Sequence, residues 1–331
     1  MVAKRRRLGA KAFSDVLLKH RALQRRRQQS LATSRKLERR LQKEVALSGA
    51  PLSIFAAGSL GRLDSGSKSD LDLFVLVDAG PGGISRLFEY EIFSTLIHVN
   101  RELAFPSFSN DGQYLKLYDV EQMRRVTGTP RDDHENLFTA RMLLLLESRS
   151  ICNPRRYRDQ LSLIVNNYFR DAKGKKSFRP LFLLNDVLRF WRTLCLNYEE
   201  IREKERPWRK KNVNLKFSRM LTVFGTVLPL VTGVVRNAEE LLELCALTPL
   251  ERLSAALDRL AADDLIQDFR KFLDCYEKFL SVKDSSGSEL VLADPSVKED
   301  LDGAADFFGQ FLYKALTNDR IKPAYRRYLV I

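Results

Sequence analysis

The passage from Phe55 to Asp78, FAAGSLGRLDSGSKSDLDLFVLVD, constrains this chain more than any other. An apolar run from Leu52 to Ala57 stops at Gly58-Ser59, a polar loop follows, and a second apolar run is entered through Asp70 and Asp72. Short runs with β-branched and aromatic residues, bounded by glycine and turn residues, predict two buried strands. Side chains alternate along a strand, so Asp70 and Asp72 share one face while Leu71 and Leu73 take the other. Two carboxylates about 6–7 Å apart repel unless something positive lies between them, and hard divalent cations with oxygen ligands meet that need. Gly58 lets the backbone turn sharply and approach a ligand. The following SLGR opens a helix whose free N–H groups and serine hydroxyl suit phosphate oxygens. Phosphate on one side and metal on the other are what in-line nucleotidyl transfer requires.

Gly58-Ser59, ten residues, then Asp70-Leu71-Asp72 and an apolar strand resembles the motif of the DNA polymerase β-type nucleotidyltransferase superfamily. Within it, GSLGRLDSGSKSDLDLFVL is most similar to the N-terminal catalytic domain of bacterial PII uridylyltransferases and their uncharacterised relatives. In those enzymes a glycine-rich turn, an arginine and Ser-Asp-hydrophobic-Asp follow in this order. The likeness is strongest over residues 55–78 and fainter to about residue 150, through DDHENLFTARMLLLLESRSICNP. It implies nucleotide contacts from Gly58, Ser59, Arg62 and Ser69, and a two-metal Mg2+ site on catalytic Asp70 and Asp72. A third catalytic carboxylate is expected at Asp111, with Asp119, inside QYLKLYDV, as the alternative. The near P-loop GRLDSGSKS is set aside, because Ser67 separates Gly66 from Lys68 and the segment leads into a strand rather than a helix.

The implied activity moves a nucleoside monophosphate from an NTP such as ATP onto a hydroxyl, releasing pyrophosphate. By the resemblance, a protein side chain such as tyrosine comes first as acceptor and an RNA 3′ end second. The rival reading is a non-catalytic regulatory or nucleic-acid-binding protein on the same fold.

Charge is unevenly placed. Of the net +14, residues 1–50 carry +12, from 15 Lys or Arg against Asp15, Glu38 and Glu44. No Gly or Pro lies between Gly9 and Gly49, and Phe13, Val16, Leu17, Leu31, Leu37, Leu41 and Val45 predict one or two long helices with a narrow apolar stripe. This arm reads either as a footprint for phosphate-bearing partners or as a solvated brace. The scarcity of stacking aromatics favours the brace.

The expected fold is α+β. A small mixed-sheet nucleotidyltransferase domain at 51–134 follows the basic helical arm at 1–50 and precedes a helical bundle at 135–331, where apolar residues recur at three and four spacing. In the bundle, Phe190, Trp191 and Trp208 beside Arg189, Arg192, Lys210 and Lys211 read either as a lid for a nucleotide or as core with solvated charges. Cys152, Cys195, Cys245 and Cys275 lack paired spacing, as do His20, His98 and His134, so reduced, packed thiols are expected rather than disulfides or zinc. The most apolar window, from Met220, is broken by Gly225, Pro229 and Gly233. With no apolar stretch behind the basic N-terminus, a soluble cytoplasmic protein without a membrane partner is expected.

Overall fold

The computed structural model describes residues 11–80, 82–108, 112, 115–175, 178–203, 208–285 and 291–329. The chain begins with α1 (Ala12–Lys19) and α2 (Arg21–Leu41), then β1 (Leu52–Ala56), α3 (Gly58–Arg62), β2 (Leu73–Val77) and α4 (Arg86–Glu102). Next come β3 (Leu117–Asp119), α5 (Val120–Arg125), α6 (Pro130–His134), α7 (Leu137–Glu147), β4 (Arg149–Cys152) and α8 (Pro154–Asn167). Helices complete it: α9 (Leu181–Glu203), α10 (Arg209–Asn214), α11 (Met220–Val231), α12 (Ala238–Cys245), α13 (Pro249–Leu260), α14 (Ile266–Asp284), α15 (Pro295–Leu316) and α16 (Pro323–Arg326). The fold is α+β, with one small mixed sheet in a mostly helical chain.

Contacts gather the chain into two compact units. One comprises Arg25–Phe178 and Asn237–Thr248, the other Met1–Gln24, Arg179–Arg236 and Pro249–Ile331.

The sheet lies in the first of these, with strand order β3-β2-β1-β4. β1 runs antiparallel to β2 and β4, and β2 runs parallel to β3. Both faces are covered, which is why β1 and β2 are buried at every position. On one face Leu52, Ile54 and Ala56 meet Leu71, Leu73, Val75 and Val77. Leu37 and Leu41 of α2 and Ile92, Leu96 and Val99 of α4 close over them. On the other face Phe55 stacks on its cross-strand partner Phe74 at 5.1 Å, with Tyr118 of β3 and Tyr157 of α8 alongside.

The other unit is helical around an aromatic core. Phe272 of α14 lies 4.0 Å from Phe308 and 4.6 Å from Phe311 of α15, ring centre to ring centre. Phe217 stacks on Phe279 at 4.9 Å. Gly225 permits a close helix crossing, since a Cβ there would lie 2.9 Å from the Pro249 carbonyl oxygen. Of the aromatic residues proposed for a lid, Phe190 is buried and Trp191 packs edge-on against Phe224, so both are spent on packing.

The arm forms two helices, as its spacing predicts, and Phe13, Val16, Leu17, Leu37 and Leu41 of its apolar stripe are buried, whereas Val45 lies beyond α2 and is exposed. Phe13 is buried against Phe269 at 5.3 Å. Asp258 of α13 caps α1 from a distance, accepting the Phe13 and Ser14 N–H groups at 2.8 and 3.1 Å and the Ser14 hydroxyl at 2.5 Å. The four cysteines are free, and burial pushes the thiols of Cys152, Cys195 and Cys275 up, which suits packing groups rather than nucleophiles. Among the described residues no helix is long and apolar enough to cross a membrane.

Because Leu37 is fully buried and Val45 is 86% exposed, the brace makes a direct prediction. Leu37→Ala should cost about 2–5 kcal/mol in urea unfolding, whereas Val45→Ala should stay within about 0.5 kcal/mol. Equal effects would mean that α2 is not part of the core.

Candidate active site

β1 ends at Ala56, and its ladder with β2 runs one residue further, the Ala57 N–H donating to the Asp72 carbonyl at 2.8 Å. Gly58 then turns the chain at φ +61° to open α3. A Cβ on Gly58 would sit 2.2 Å from Asp72 Oδ2, so the glycine is required twice, by its backbone angle and by the carboxylate occupying the side-chain position. The glycine turn and the second aspartate, fourteen residues on, are thus one local unit. Asp70 and Asp72 flank buried Leu71 in the extended lead-in to β2, and each retains partial exposure.

A buried ion cluster supports the turn from beneath. Glu147, the last residue of α7, accepts the Gly58 N–H at 3.2 Å and an Arg62 Nη1 hydrogen at 2.7 Å. Arg62 also donates to Asp64 at 3.0 and 3.3 Å. All three residues are buried. Gly61 allows this approach, because a Cβ there would fall 1.9 Å from the Glu147 carbonyl oxygen. Leu63, at φ 61°, ends α3, and the Asp64 N–H returns to the Ser59 carbonyl. Ser30 of α2 fixes the loop beyond, its Oγ lying 2.8 Å from Ser65 Oγ and accepting the Ser65 N–H at 3.1 Å.

Of the residues expected from the sequence, Gly58, Ser59 and Asp72 come together at this turn, with Asp70 two residues before Asp72. Ser59 is 7% exposed, and its hydroxyl has no partner among the described residues. Ser69 closes the loop, its Oγ accepting the Gly66 N–H at 3.0 Å. Arg62 faces inward onto Asp64 and Glu147. Asp119 pairs with Val77 in the parallel register, about 13 Å along β2 from Leu73 at strand rise. There it caps α5 by accepting the Gln122 N–H at 3.2 Å, so the structure does not bring it to the turn. Asp111 lies outside the described residues.

Sequence reasoning missed Glu147 and Asp64. A signal for Glu147 existed: it is a lone carboxylate closing the apolar run Met142–Leu146, and a charge there needs a buried partner.

As metal ligands, Asp70 and Asp72 offer hard carboxylate oxygens that keep contact with solvent. That fits Mg2+, which takes one or two carboxylates and completes its shell with water and substrate phosphate. Among the described residues, one set of three or more His, Cys, Asp or Glu has ligand atoms mutually within 4.8 Å, and it lies in the helical unit: His20, Asp274 and Glu277. His20 Nε2 stands 3.2 Å from Asp274 Oδ1 and 3.6 Å from Glu277 Oε2, distances that an ion pair also explains.

No protein-family model, curated protein or solved structure matches this chain.

Breaking the buried cluster on one side should cost more than removing it. Arg62→Met leaves the buried Glu147 and Asp64 carboxylates without the guanidinium they share, an expected loss of about 3–5 kcal/mol. Adding Glu147→Gln, which removes one of those two buried anions, should recover part of that loss in a double-mutant cycle followed by chemical unfolding. Strict additivity would show that the two charges are not coupled.

Proposed function

We propose that the chain is an Mg2+-dependent nucleotidyltransferase that moves a nucleoside monophosphate from an NTP to a hydroxyl acceptor. The observation that carries this reading is the contact of Asp72 Oδ2 with the side-chain-free position of Gly58. A turn suited to phosphate and a carboxylate suited to a cation then occupy one spot. In the reaction the acceptor hydroxyl gives its proton to water as its oxygen forms a bond to the α-phosphorus, the bond from that phosphorus to the bridging oxygen breaks, and pyrophosphate leaves with the electron pair. Bound Mg2+ would neutralise the triphosphate and lower the acceptor hydroxyl's pKa.

Each residue has a role in this reading. Asp70 and Asp72 hold the cation. The Ser59 hydroxyl, without a protein partner among the described residues, donates to a phosphate oxygen. The Gly58 N–H is taken by Glu147, so phosphate binding at the turn falls to Ser59. Arg62 acts through Glu147 and Asp64 as a positioning residue. Asp111, which lies outside the described residues, is retained as the third carboxylate on the resemblance alone. A protein hydroxyl is the first acceptor to test and an RNA 3′ end the second. The rival, a non-catalytic regulatory or nucleic-acid-binding protein, predicts no transfer at all.

The test is incubation of the purified protein with each α-labelled NTP, Mg2+ and cell extract, followed by separation of labelled protein from labelled RNA. Asp70→Asn and Asp72→Asn should each reduce incorporation to background without lowering thermal stability, since removing neighbouring anions relieves repulsion. Asp119→Asn should lose about 0.5–2 kcal/mol of stability as a weakened cap while keeping transfer. Undiminished labelling by the Asp70→Asn, Asp72→Asn double variant would end the enzymatic reading.

A further inference from the structure

α2 spends its large apolar residues inward, Leu37 and Leu41 being fully buried. What remains outward is cationic. Arg35 and Arg39, four residues apart, share a face, with Lys36 beside them and Lys43 in the turn that follows. All four are exposed, and none makes an ion pair among the described residues. They line a cleft of about 380 Å³ that reaches Leu103 at the end of α4. Arg40, in the same cleft, is already neutralised by Glu44 and Glu102, and its hydrogen bond holds the Glu102 carboxyl below the ordinary carboxylate range. Like charges at i,i+4 destabilise a helix, and the residues lining the cleft include five cations and no carboxylate, which matches an anion outside the protein.

We propose that this cleft binds the phosphodiester backbone of a nucleic acid. Successive cations about 6 Å apart along the helix track a repeating phosphate chain rather than a single anion. A bilayer is disfavoured because an interfacial helix must present an apolar face to lipid, and that of α2 is buried in the core. An acidic peptide is disfavoured because protein interfaces rest on aromatic and apolar anchors, and Ala32 and Leu103 are the apolar residues lining this cleft. With neither aromatic rings nor amides among those lining residues, contacts are to phosphate alone and binding is indifferent to base sequence.

The proposal does not rest on the nucleotidyltransferase reading, and the experiment separates the two. Affinity of the full chain for a fluorescent mixed-sequence single-stranded RNA is measured by anisotropy from 50 to 200 mM KCl. Each lost phosphate contact lowers the slope of log affinity against log salt by about 0.7. Arg35→Gln, Lys36→Gln, Arg39→Gln and Lys43→Gln together should therefore flatten it by about 3. A charge-matched control with Lys173, Arg270, Lys298 and Lys322 changed to Gln should keep most of the slope. Asp70→Asn with Asp72→Asn should keep all of it, whether or not transfer activity exists. Both Gln variants should melt as the parent does. Equal losses in the groove variant and the control, or a groove variant that binds RNA as the parent does, would overturn the proposal. So would groove-dependent binding to phosphatidylserine vesicles without RNA binding.

Discussion

The site depends on one buried charge. Glu147 stands at the end of an apolar helix, inaccessible to water, and must find hydrogen bonds where it lies. It takes one from the Gly58 backbone and one from Arg62, which in turn holds Asp64. Such a group is costly to desolvate and costlier to leave half-paired. The turn after β1 is thereby tied to the end of α7, and Gly61 removes the one Cβ that would keep them apart. With the turn fixed from below, the backbone at Gly58 stands against the Asp72 carboxylate from above.

A further consequence concerns the direction of the functional groups. The Gly58 N–H and the Arg62 guanidinium, both natural phosphate donors, are turned inward onto Glu147. Asp70 and Asp72 keep part of their surface open to solvent. Preorganisation of this kind places the ordering cost in the fold rather than in binding.

The N-terminal helices use their two faces differently. The apolar stripe is committed to cores, Phe13 in the helical unit and Leu37 and Leu41 beside the sheet. The polar surface holds Arg35, Lys36, Arg39 and Lys43, all exposed, with Lys43 within Coulombic reach of Glu102. Brace and electrostatic surface are therefore compatible readings of one segment. An amphipathic helix has room for both, because burial uses one stripe of its circumference.

The sequence by itself determined the two buried strands, the turn at Gly58, and the helical character of the arm and of the second half. These are local properties, governed by alternation, 3.6-residue periodicity and the conformational freedom of glycine. Tertiary structure alone decided that Arg62 faces Glu147, 85 residues away, because a buried charge seeks the nearest opposite charge in space. It also decided that β3 runs parallel to β2, which carries Asp119 to the far end of the sheet as a helix cap. The grouping of α1 with α13 and α14, and of α12 with α7 and α8, follows from where the chain doubles back. Composition shifts report solvent exposure along the chain, whereas burial depends on which distant segments meet.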